Sequence, residues 1–135
     1  MAWPPEQHFE ELILQAQQEL QDVHIIRRDV GQSRALIDFE ATWQEYRIVV
    51  SEIHRADGTA RYAYYVLDSG NQLVQGFDNS RDIQAVRLCY GSNWKVYREE
   101  EIPHRHDGAG NLSLTSFTTF VDFVDWFKRY ITREG

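Results

Sequence analysis

A chain of 135 residues with 42% hydrophobic and 26% charged residues is the size of one domain, 1–135, with enough apolar material for a single core. The net charge of −7 argues against broad, sequence-independent nucleic-acid binding, which leaves a basic footprint. One cysteine excludes an internal disulfide and fits a reducing compartment.

Pro4 and Pro5 are suited to opening a helix, and "EQHFEELILQAQQEL" places Phe9, Leu12, Ile13, Ala16 and Leu20 at helical spacing. From about residue 23 the periodicity changes to two. The runs "VHIIRRDV", "RALIDFEA" and "EYRIVVSEI" precede Asp57-Gly58, a hairpin signal. Then come "RYAYYVL", a turn at "DSGN", and "QLVQGFD". Links this short do not allow parallel crossovers, so the strands form an antiparallel meander. In "RYAYYVL", Tyr62, Tyr64 and Val66 share one face, with Arg61, Ala63, Tyr65 and Leu67 on the other. The tyrosines either pack across strands or line a cleft.

"SRDIQAVRLCYG" reads as a short helix with Cys89 as a small core residue, and "WKVYREEEI" as a strand ending in a solvated acidic rim. The chain closes with a second terminal helix, N-capped by Ser116, whose buried stripe is Phe117, Phe120, Val124, Phe127 and Ile131. Trp126 and Tyr130 carry more aromatic surface than one face can bury and are the expected protein-contact residues. The fold class is therefore α+β, with an antiparallel meander of five or six strands flanked by an N-terminal and a C-terminal α-helix. No apolar run reaches the ~18 residues needed to cross a bilayer, and the first residues are acidic where a signal peptide is basic, so no membrane association and a cytoplasmic location are expected.

The stretch "IPHRHDGAG" puts His104 and His106 on one side of an extended segment and Arg105 on the other. Same-side imidazoles suit metal-independent RNA cleavage, which needs a base for the 2′-hydroxyl and an acid for the departing 5′-oxygen. They also suit a metal site, completed by Asp107 or Asp78, or a purely structural strand end. The catalytic candidates are His104 and His106, and no cofactor or metal is required for that chemistry. Arg61 or Arg105 would hold the phosphate, while Asp78 and Asn79 would shape the turn beside it.

The paired stretches "RYAYYVLDSGNQLVQGFDNS" and "IPHRHDG", followed by a helix, resemble the TumE family of toxin–antitoxin toxins over roughly residues 9 to 131. Tyr62, Tyr64, Asp68, Gly70, Leu73, Phe77, Asp78 and Asn79 match the family's hairpin, and Pro103, His104 and His106 match its second motif. Ser80-Arg81-Asp82 stands where the family usually carries Ala-Pro-His-His, and the segment up to Pro103 is longer, so this is a divergent member with fewer histidines. The resemblance implies a toxin with a cognate antitoxin, and by fold-level analogy an RNA substrate. The alternative is a non-enzymatic interaction module that binds a partner, or a second copy as a homodimer, through its aromatic sheet face or last helix. Together these readings place His104 and His106 at the edge of a cleft bordered by the hairpin 61–79, with Arg61 or Arg105 within reach.

Overall fold

The computed structural model describes residues 3–134. Helix α1, Glu6–Glu19, is followed by five strands, β1 Gln21–Val30, β2 Arg34–Trp43, β3 Tyr46–Arg55, β4 Ala60–Leu67 and β5 Leu73–Asp78. Helix α2, Ile83–Tyr90, a 3₁₀ segment Gly91–Tyr97, strands β6 His104–Asp107 and β7 Leu112–Leu114, and helix α3, Phe120–Glu134, complete the chain. All seven strands form one antiparallel sheet in sequence order, so each pairs with its chain neighbours. This is the expected α+β meander between terminal helices, with seven strands in place of five or six.

Period-two alternation sorts the side chains. Ile37, Phe39 and Ala41 of β2, Ile48 and Val50 of β3, and Tyr62, Tyr64 and Val66 of β4 point to one face. Phe9, Leu12, Ile13 and Ala16 of α1 and Phe120, Phe123, Val124, Phe127 and Ile131 of α3 cover them. Each fully buried side chain of this size contributes roughly 1.5–3 kcal/mol, so the two helices are held chiefly by these nine residues. Among the described residues, no helix is long and apolar enough to cross a membrane.

Three local expectations are corrected. Helix α3 begins later than Ser116: Thr119 Oγ1 accepts the Asp122 amide at 3.2 Å, which makes Thr119 the cap. The Tyr62 hydroxyl receives the Thr118 amide at 3.2 Å and holds the preceding loop out of the helix, so Phe117 lies outside it and stays exposed. "WKVYREEEI" is no strand. Tyr97 stacks on Tyr90 at 3.8 Å and the Arg87 guanidinium lies 4.5 Å over Trp94, so local contacts fold this segment back on α2. Cys89 is exposed, because α2 buries only Ala85 and Val86.

Candidate functional site: a carboxylate between two imidazoles

Strand β5 sits between β4 and β6, and its register aligns Asp78 with Ala63 on one side and His104 on the other. Gly76 is aligned with Tyr65 and His106. Tyr65, Asp78, His104 and His106 therefore share the face away from α1 and α3. Gly76 makes the cluster possible. The Tyr65 ring lies where a side chain at 76 would start, since a Cβ there would fall 2.3 Å from the ring. The Tyr65 hydroxyl consequently reaches Asp78 Oδ2 and donates to it at 2.8 Å.

Asp78 is buried at 2% exposure, which would be costly for a lone carboxylate. Its Oδ1 lies 3.0 Å from His104 Nε2 and accepts the Ser80 amide at 2.9 Å; its Oδ2 lies 3.4 Å from His106 Nε2. Burial pushes the Asp78 carboxyl up, but the bonds from His104 and Tyr65 outweigh it and the net shift is downward. His104 Nδ1 donates to the Ile102 carbonyl at 2.6 Å. Both nitrogens of this ring thus face acceptors, the arrangement of an imidazolium. Burial lowers the pKa of His104, yet Asp78 and the Ile102 carbonyl raise it further, for a net rise. The Asp82 carboxylate stands 3.9 Å away at the N-terminus of α2.

The two imidazoles are on one side, as the alternation requires, with ring centroids 4.8 Å apart. They are not equivalent. His104 is sealed at 1% exposure, whereas the His106 side chain is 30% exposed. One ring nitrogen of each imidazole and an oxygen of the Asp78 carboxylate lie within 4.8 Å of one another, so the three could hold a metal ion. Asp107 does not join them, because its Oδ1 accepts the amides of Ala109 and Asn111 and closes the β6–β7 turn.

The remaining candidates separate. Arg61 lies on the histidine face and reaches Ser80 Oγ at 3.3 Å, with its Nε 3.4 Å from Glu101. Glu101 also takes a two-pronged bond from Arg55 at 3.0 and 2.9 Å, so it ties the acidic run to the sheet instead of lying free at a rim. Arg105 is on the other face, its guanidinium 5.1 Å over the Trp126 ring, and does not reach the histidines. Asn79 is structural: its side chain accepts the Tyr62 amide at 2.8 Å and donates to the Ala60 carbonyl at 2.9 Å. Trp126 and Tyr130 are half-buried and stack with ring centroids 5.0 Å apart.

The expected cleft lies elsewhere. A cavity of about 620 Å³ opens on the helix side and is lined by neither His104 nor His106. Arg61 and Tyr62 reach it from the hairpin, and at its floor stands a second carboxylate, Glu52. Glu52 Oε1 meets His8 Nε2 at 2.7 Å and His54 Nε2 at 2.8 Å, and Oε2 accepts the Tyr64 hydroxyl at 2.7 Å. Burial pushes the Glu52 carboxyl up, but bonds from His54, His8 and Tyr64 overcome it and hold it at about 2. The bond to Glu52 raises the pKa of His8 against the opposing effect of burial. Sequence reasoning missed this cluster because His8 and Glu52 are 44 positions apart. One signal was present: in "IVVSEIH" Glu52 and His54 continue the inward phase of Ile48 and Val50, so two ionisable residues occupy core positions.

No protein-family model matches this chain, and neither a curated protein nor a solved structure matches it.

Proposed function

We propose that the chain is the toxin of a two-gene toxin–antitoxin system, acting in the cytoplasm and cleaving RNA with His106 as its proton-transfer group. The observation that carries this reading is Asp78, one carboxylate shared by a sealed imidazole and a solvent-open one. The motif resemblance in the hairpin and in "IPHRH" supplies the toxin class. With Nε2–H of His106 turned to Asp78, the lone pair of the neutral ring is on Nδ1. That atom takes the 2′-hydroxyl proton as the 2′-oxygen attacks phosphorus. The P–O5′ bond then breaks to leave a 2′,3′-cyclic phosphate, and the imidazolium returns its proton to the departing 5′-oxygen. The His104 imidazolium and Arg61 contribute positive charge toward the phosphate. Asp78, His104 and Tyr65 are positioning residues, and no metal is needed. The cognate antitoxin would contact α3 at Trp126 and Tyr130.

The test is inducible expression of the chain alone in a host cell, following growth and RNA integrity for wild type and His106→Ala. Growth arrest with RNA cleavage by the wild type, relieved in a folded His106→Ala protein, is the expected result. Arrest without RNA cleavage, or cleavage that survives the substitution, refutes the ribonuclease reading. A non-enzymatic interaction module is the second reading. It is favoured by the exposed apolar side chains Ile25, Ile26 and Val30 on the edge strand β1. Loss of all toxicity together with retention of a tight protein partner would support it.

A further inference from the structure

We propose that His8, Glu52 and His54 form a binding site for a divalent transition metal of the zinc type at the floor of the helix-side cavity. This site is separate from the Asp78 cluster and does not depend on the toxin reading. Each of its three side chains offers one ligand atom, and these atoms lie within 4.8 Å of one another. Two imidazoles and one carboxylate make a donor set that suits zinc and its first-row neighbours, and not magnesium or calcium.

The geometry is close to what coordination requires. Metal–ligand bonds of about 2.0–2.1 Å in a tetrahedron put donor atoms roughly 3.3 Å apart. Both imidazole nitrogens lie 2.7–2.8 Å from the same carboxylate oxygen, so insertion of an ion asks for a widening of about half an ångström. Glu52 and His54 are alternate residues on the rigid strand β3, and His8 comes from the first turn of α1. The Tyr64 hydroxyl fixes the second carboxylate oxygen, the kind of outer bond that orients a metal ligand.

Charge and access point the same way. Glu52 is 4% exposed, and among the described residues no lysine or arginine is paired with it. Without an ion its balance falls on its two histidines. All three side chains line the 620 Å³ cavity, so a bound ion would face open space through at least one further position. The walls there are largely apolar, from Leu12, Tyr62, Phe117, Phe120 and Val121. A water, or the carboxylate or carbonyl oxygen of an otherwise apolar ligand, fits that position.

The experiment uses the full chain, stripped with a chelator and titrated with zinc alone against a chromogenic zinc indicator. Wild type is expected to bind zinc at this site, and His8→Ala to weaken it by about 100-fold or more. Removal of the outer hydroxyl in Tyr64→Phe is expected to weaken it by about 10–100-fold. His106→Ala, which alters the other cluster, is expected to leave this affinity unchanged. A measurement on the wild type alone guards against misfolded variants: zinc should shift the imidazole nitrogen NMR signals of His8 and His54 and leave that of His24 in place. Absence of zinc binding by the wild type overturns the proposal. So does binding that is abolished by His106→Ala but retained with full affinity in His8→Ala.

Discussion

Tyr64 and Tyr65 are neighbours on β4, yet one hydroxyl bonds Glu52 beneath the helices and the other bonds Asp78 on the opposite face. Each carboxylate also meets two imidazoles, so the two sides of the sheet carry the same chemical kit. They differ in how the kit was assembled. On the Asp78 side both histidines come from one short strand, two residues apart, and one of them is sealed with both nitrogens occupied. On the Glu52 side one histidine comes from a separate helix, and the cluster faces a cavity. A polar cluster built within neighbouring strands is fixed by register, whereas one bridging helix and sheet depends on their packing. Burial then decides which ring can exchange protons or bind an ion.

The largest difference should appear in stability. Glu52→Ala leaves two imidazoles and a tyrosine hydroxyl without their acceptor in a buried site and should cost about 3–5 kcal/mol in metal-free protein. Asp78→Ala should cost less, because the Tyr65 hydroxyl it frees is half-buried, whereas the Tyr64 hydroxyl freed by Glu52→Ala is sealed in the core. Urea denaturation compares the two, and a smaller loss for Glu52→Ala would break the contrast.

The pH dependence follows next. Both carboxylates are depressed in the folded state, so their stabilisation is present above the ordinary carboxylate value and is lost as pH falls through the folded one. For Glu52 the window runs from 4.5 down to about 2, a contribution on the order of 3 kcal/mol. His8 and His104 are raised, so their stabilisation is complete below 6.5 and is lost as pH rises through their folded values. Denaturation across pH should therefore show stability falling on both sides, with the acid limb made shallower by Glu52→Gln while the share of Asp78 remains. An unchanged acid limb in that variant would assign the effect to other carboxylates.

A third effect separates the open imidazole from the sealed one. His106→Ala should lower RNA cleavage by roughly 10²-fold or more, about 2.7 kcal/mol at the barrier, with little change in the urea midpoint. Cleavage by the wild type should persist in a chelator. Chelator-sensitive cleavage restored by zinc in the wild type and in His8→Ala alike would make Asp78, His104 and His106 metal ligands instead. The smallest effect is Tyr65→Phe, which removes one bond to a charged acceptor at a half-buried site and should cost about 1.5 kcal/mol. A cost near zero would mean that Asp78 is oriented without it.

Much of the fold was legible along the chain. Phe9, Leu12, Ile13 and Ala16 at helical spacing are buried as expected, and the alternation through Ile48, Val50, Tyr62, Tyr64 and Val66 marks the sheet face that they cover. The strand ends at Asp57-Gly58 and at "DSGN" follow from turn chemistry that is local. Residues 94 to 102 were misread because an apolar–polar alternation says nothing about a partner. Val96 is 80% exposed, while Tyr90 and Arg87 hold Tyr97 and Trp94 from seven residues back. In α3 the stripe was right from Phe120 to Ile131 and wrong at Phe117, because the helix start was set by the Tyr62 hydroxyl, a contact 56 residues distant.

The sequence by itself determined the two terminal helices, the succession of strands β1 to β5, their antiparallel connections, and the shared side of His104 and His106. Each is fixed by periodicity and by links too short for any other path. Only the tertiary structure decided that Asp78 lies between those histidines, that Trp126 receives Arg105 on the opposite face, and that His104 is closed to solvent. It alone joined His8 to Glu52 and opened a cavity above them. The reason is that register and helix docking set which distant side chains share a face and how much water reaches them, and charge and proton transfer depend on that environment.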